Sequence, residues 1–305
     1  MQQRRVSRGE DYDFNPGSPA SQPTTGGRRR ERASDIGQPE DSNFKDWFEL
    51  VPSLLAAYNQ APNILPEEAA ARARVYEEAA LQMSLRHPNV VRLLDFRMTS
   101  HYLILHQELV SGGSLDDALL KMQRRKQKVE EAEVWDLAGD VAAALAYVQD
   151  EASPGETILH RDLKPANILV RPEGGYKIVD FGLSRVLGPD QLARTHCGTR
   201  IYMAPEIFAA QNTRAYDEAV NAWALGITLY EVCTGKTPFL RPNGVVDHNS
   251  LVSRSVAAPP LPGHYSAELR LLVAQLLRKD PYSRIRPRDV ILKANIQLRQ
   301  VEKNM

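Results

Sequence analysis

The sequence predicts an α+β fold in which helices predominate, and three observations carry that expectation. The chain has 305 residues, enough for two lobes around a substantial core. Short apolar runs of strand length and β-branched character occur at 102–110, 168–170 and 178–179. Longer stretches with helical character occupy 66–86 and, with an apolar face, 131–149.

Bulk properties exclude several classes. Basic and acidic residues number 38 each, so nothing in the overall charge points to a nucleic acid or a membrane surface as partner. The two cysteines, Cys197 and Cys233, give neither a metal-ligand spacing nor a disulfide framework, and they suit a reducing, intracellular compartment, cytoplasmic or nuclear. No apolar run reaches the ~20 residues that a membrane helix needs. The opening stretch lacks the apolar core of a signal peptide.

Residues 1–40 are rich in Arg, Gly, Pro, Ser and Gln, bury too little apolar surface to offset their ordering entropy, and read as a disordered tail. Arg28, Arg29 and Arg30 within it read as solvated charge, with a nuclear-import cluster as the alternative. Residues 41–65 change character: Phe44, Trp47, Phe48, Val51, Leu54, Leu55 and Tyr58 share one helical face, divided or kinked at Pro52. That face must be covered, either by the rest of the domain or by another protein. Residues 66–86 give the strongest helix signal, with Pro66 at the first position, Glu67 and Glu68 at the positive end of the dipole, an alanine-rich interior and Pro88 as the stop. A strand over 102–110 leads into Ser111-Gly112-Gly113-Ser114, where the glycines permit a turn. An apolar-faced helix follows over 131–149.

The chemistry concentrates in 159–182, LHRDLKPANILVRPEGGYKIVDFG. A strand–turn–strand pattern separates Asp162, Lys164 and Asn167 from Asp180. Two separated carboxylates and an amide oxygen suit a hard divalent cation such as Mg2+, which keeps phosphate oxygens among its ligands. Lys164 adds a mobile positive charge where a transferring phosphoryl group would carry negative charge.

HRDLKPAN followed by DFG resembles the catalytic and metal-binding loops of the eukaryotic-type protein kinases. The resemblance runs from about 66 to 299 and implies a two-lobed, protein-kinase-like α+β fold with a mainly helical large lobe. It implies ATP and Mg2+ as cofactors and proteins as substrates. Asp162 would accept the substrate hydroxyl proton, Lys164 would stabilise the transferring phosphoryl, and Asn167 and Asp180 would hold the metal. Lys164 in this motif marks serine/threonine specificity. Residues 66–110 would be the small-lobe helix and two of its strands, with Glu78 (its neighbour Glu77 remaining open) at the position of the family's helix glutamate. Gln82 stands where the family places an apolar packing residue. Gln107 would be the gatekeeper, Glu108 to Val110 would offer backbone groups to adenine, and Leu169 would join the nucleotide site. Residues 111–299 would form the large lobe, where 221–239 match one of its helices and the turn after it and 265–299 its last helices, with 300–305 as a tail. Residues 183–203 would form the activation segment, with Thr195 as phosphosite, Arg161 as its cationic partner and Thr199 as the substrate-platform threonine. Glu206 is expected to pair with Arg284, and Asn221 replaces an aspartate that normally braces the catalytic loop.

The family's glycine-rich loop and V-A-I-K lysine have no counterpart in residues 1–65. Lys45 is the only lysine there, and none occurs from 46 to 120, so Glu78 has no evident lysine to pair with. A truncated small lobe of two strands is marginal and leaves an unpaired edge. Three expectations follow: cover by the 44–58 segment, cover by a partner chain, or an incomplete gene product whose parent carries the full lobe. The intact Asp162, Lys164, Asn167 and Asp180 favour the last, with a non-catalytic scaffold as the competing reading.

Overall fold

The computed structural model describes residues 76, 79–80, 82–98, 103–150, 162–179, 199–209, 217–241, 245–253 and 255–304, all within the unit Asn43–Met305. Glu77, Glu78, Arg161, Asp180, Thr195, the segments 1–40 and 41–65 and most of 183–203 lie outside them. Of the helix expected over 66–86, the described residues are helical up to Ser84. It stops two residues short of expectation because the Leu85 amide turns back onto the Gln82 carbonyl (3.2 Å).

Strand β1 (Leu93–Met98) pairs antiparallel with β2 (Leu103–Gln107), with an irregularity between Leu93 and Asp95. The second strand is shorter than the predicted 102–110, yet the Glu108 amide still reaches the Arg92 carbonyl (3.0 Å). Tyr76 packs edge-to-face on Phe96 with ring centroids 5.4 Å apart, tying the preceding helix to this sheet.

The larger part of the described chain is helical. Helix α1 (Leu115–Arg124) starts at Ser114, whose hydroxyl accepts from the Asp117 amide (3.1 Å) and donates to the Asp117 carboxylate (2.7 Å). Helix α2 (Glu131–Asp150) buries Val134, Leu137, Ala138, Val141, Leu145 and Val148, one face at helical spacing. Strands β3 (Ile168–Val170) and β4 (Tyr176–Ile178) form a hairpin closed through Gly174 and Gly175 in the left-handed region.

Helices α3 (Pro205–Ala209), α4 (Asp217–Thr234), α5 (His248–Val252), α6 (Ala267–Leu276) and α7 (Pro287–Asn304) complete the lobe. Residues 221–230 of α4 are buried all round, so this helix is a core element rather than an amphipathic cover. Helix α7 packs on α2, closely enough that a Cβ on Gly139 would sit 3.2 Å from that of Ala294. Residues 300–304 continue α7, so the separate tail expected over 300–305 is corrected: the apolar face carried by Val290, Ala294 and Leu298 holds the helix in place. No described helix is long and apolar enough to cross a membrane.

Candidate active site

The loop before β3 gathers three of the predicted residues. Leu163 and Pro165 are buried and anchor the loop, and a 3-10 turn (Pro165–Asn167) carries it into the strand. Between these anchors the Lys164 ammonium lies 2.7 Å from the Asp162 carboxylate. The Asn167 amide nitrogen donates to the Asp162 carbonyl (2.8 Å) and to its carboxylate (3.0 Å). This orientation leaves the Asn167 amide oxygen without a described donor, in keeping with an oxygen ligand for a hard cation. The Val179 amide donates to the Asn167 carbonyl (3.0 Å), so the residue preceding Asp180 is fixed against this turn.

The hairpin also links the smaller sheet to the larger lobe. The Ile178 amide donates to the Asn89 carbonyl, the Val91 amide to the Ile178 carbonyl (each 2.8 Å), and the Asn89 side chain donates to the Tyr176 carbonyl (2.9 Å). On the other side, Val170 donates to the Gly113 carbonyl (2.9 Å), and Ser114 bridges Leu169. Any Cβ on Gly112 would lie 2.0 Å from the Val170 carbonyl oxygen, so the approach requires glycine, while Gly113 turns at φ +79°. Leu169 is thereby placed next to the segment after β2, half-buried, while its neighbour Ile168 fills the core.

In that connecting segment the Val110 amide and the Glu108 carbonyl take no hydrogen-bond partner among the described residues. The Glu108 side chain folds the other way: its carboxylate accepts from the Arg92 amide (2.9 Å) and pairs with Lys177 (2.5 Å). Burial pushes this carboxyl up, but the Lys177 ammonium and the Arg92 amide outweigh it and the net shift is downward. Nothing in the sequence pattern pointed to the Glu108–Lys177 pair, because its members lie on different elements.

Below the loop, Arg284 forms the predicted pair with Glu206, bidentate at 2.7 and 3.0 Å, and also donates to the Ala219 carbonyl (2.5 Å). Both side chains are buried. Thr199 opens a 3-10 turn, Thr199–Tyr202, that ends on a residue the sequence reading missed. The Tyr202 hydroxyl donates to Glu231 of α4 (2.6 Å). Burial, then the Glu231 charge, raises the Tyr202 hydroxyl far above the ordinary phenol range. The Glu231 carboxyl is itself raised, chiefly by burial, partly countered by the Tyr202 bond and reinforced by Asp116. Asn221 is buried and its side-chain nitrogen has no partner among the described residues.

Comparison with known proteins defines the class. Residues 62–294 match the protein kinase domain. The G2-specific protein kinase nimA of Emericella nidulans is 34% identical over 69% of this chain and 33% of its own length. Human serine/threonine-protein kinase Nek2 is 33% identical over 68% of this chain and 46% of its own, and Arabidopsis thaliana serine/threonine-protein kinase RUNKEL 35% identical over 71% and 15%. The chain belongs to the protein kinase family. It spans less than half the length of each of these relatives.

Proposed function

We propose that this chain is a serine/threonine protein kinase module that transfers the γ-phosphoryl group of ATP to protein hydroxyls, and that transfer is slow in the sequence as it stands. The observation that supports this most is the cluster in which Lys164 and Asn167 both contact the Asp162 carboxylate. A carboxylate held by one ammonium and one amide is oriented to take a proton from an incoming serine or threonine hydroxyl. As that oxygen bonds to phosphorus, the bond from phosphorus to the leaving oxygen of ADP breaks, and Lys164 offsets the charge on the transferred group. Asn167 through its free amide oxygen, together with Asp180, would hold Mg2+, which supplies charge neutralisation on the phosphates. The Glu108 carbonyl and Val110 amide would bond adenine, with Leu169 packing against it. Arg161 would hold a phosphate on Thr195, and Thr199 would brace the substrate platform.

Residues 46–120 hold no lysine to pair with Glu78, and residues 1–65 hold no glycine-loop pattern. Losing one charged contact to phosphate weakens binding by roughly 1.5–3 kcal/mol, so nucleotide affinity is expected to be low. Among the described residues the second edge of β2, with Ile104 exposed on that strand, has no paired strand and gives a partner chain a place to add one. The competing reading is a non-catalytic scaffold, which the missing lysine and glycine loop favour. Titration with Mg-ATP by calorimetry, followed by radiolabel transfer to a basic test protein, separates the two. Transfer that Asp162→Asn reduces by ~10²–10⁴-fold at unchanged melting temperature supports the kinase. Nucleotide binding with no transfer gives the scaffold, and an Asp162→Asn variant as active as the parent removes Asp162 from the role of base.

A further inference from the structure

We propose that the cleft between α1 and the C-terminal end of α4 is a docking site for an acidic segment of a partner protein, anchored by an apolar side chain. The cleft encloses about 740 Å³ and shares no lining residue with the Asp162 loop or the segment after β2. Its volume falls within the range of about 300–1,000 Å³ typical of built ligand sites. Leu119 and Cys233 lie at its buried base, and Met122, Val129, Pro259 and Pro260 line it. Such a surface takes an apolar side chain, and the three prolines among its lining residues offer no backbone N–H groups that would be left unpaired beneath one.

The chemistry of the rim selects the occupant. Lys128 and Lys236 line the cleft, and no aspartate or glutamate does. Lys121, Arg124, Arg125 and Lys126 lead up to it along 121–128, a stretch without a single acidic residue. All six cations are exposed, and none forms an ion pair with any described residue. Glu130 pairs with none of them, and Glu131 is occupied by Trp135 and by Ser266 (2.8 Å to the latter's amide). Helix C-termini attract cations, which accounts for Lys121 and Arg124 in the last turn of α1. It does not account for Lys126 or Lys128 beyond the helix. Lys126 holds a left-handed backbone, φ +54°, where glycine or asparagine is less strained. A concave apolar floor inside a cationic rim asks for negative charge and an apolar group delivered together at short spacing. A polypeptide with glutamates around a large apolar residue provides that, whereas a flat anionic bilayer or a phosphodiester backbone would leave the floor unused.

The test uses the full chain, free of nucleotide, and a fluorescein-labelled peptide of glutamates flanking a Leu-Phe pair, read by anisotropy. The expected result is saturable binding that weakens with added NaCl. Replacing the glutamates by glutamine, or the Leu-Phe pair by alanines, should each weaken it by about tenfold. The double variant Lys128→Glu, Lys236→Glu should lose at least as much at an unchanged melting temperature, since both side chains are exposed. A second variant, Lys121→Glu with Arg125→Glu, should lose less because these residues stand outside the cleft. Binding that survives charge reversal, or equal binding of the glutamine peptide, overturns the proposal. So does failure of the peptide to bind, whether or not phosphatidylserine vesicles or a single-stranded oligonucleotide do.

Discussion

Gln82 places an amide where only 2% of its surface reaches solvent, and neither its oxygen nor its nitrogen finds a partner among the described residues. Glu206 and Arg284 are almost as deeply buried, yet they hold each other in a bidentate pair, and Arg284 also donates to the Arg278 and Ala219 carbonyls. The contrast decides what substitution should do. Removing either member of the pair strands a buried charge, whereas Gln82→Met removes two unused polar atoms at nearly constant volume. We expect Gln82→Met to raise the unfolding free energy by about 1–3 kcal/mol in urea melts, and a loss of stability would mean that the amide is bonded in solution. All three were legible in the sequence, Glu206 and Arg284 as motif partners and Gln82 as a polar intruder in an apolar position. The Glu108–Lys177 and Tyr202–Glu231 contacts were not, since each joins residues brought together only by the packing of separate elements.

Helix α4 is the element on which the lobe is assembled, and its charge at Glu231 is set by what packs on it. Burial raises the Glu231 carboxyl, and Asp116 adds to this, so the folded state holds its proton to higher pH than the unfolded chain does. A raised carboxyl contributes stability that is present below the unfolded value, near 4.3, and is lost as pH rises through the folded one. Glu231→Gln keeps an oxygen to accept from Tyr202 without the charge. The variant should therefore match the parent near pH 4 and melt about 2–4 °C higher at pH 7, and a constant difference across that range would contradict the assignment. Where α4 begins was harder to read than what it does. The sequence match starts at Asn221, but the helix already includes Asp217, because a buried helix lacks the polar–apolar alternation that marks an end. The β3–β4 hairpin was easier, since Gly174 and Gly175 mark its turn and Ile168 and Ile178 its core-facing pair.

Across the whole molecule, the described part of the smaller sheet has two strands, with Leu94 and Ile104 exposed, while α2 and α7 pack with α4 into one continuous core. Stability should follow that division. Amide exchange at Phe96 and Leu105 is expected to be about a hundredfold faster than at Val141 and Leu225, and uniform protection would show that the sheet is completed by other parts of the chain. The large lobe was readable because its motifs are contiguous in sequence, and the small lobe was not, because its expected first strands leave no pattern in residues 1–65. Between the two, Gly112 lies where even a methyl group would collide with the Val170 carbonyl, and the Gly113 carbonyl is bonded to Val170. The strip joining the lobes is therefore riveted to the floor of the proposed nucleotide site at its far end. Rocking of the β1–β2 pair therefore bends the few residues between Gln107 and Gly112 and works against the bonds from Asn89 and Val91 to Ile178, which makes that short span the axle of the molecule and the β3–β4 hairpin its bearing.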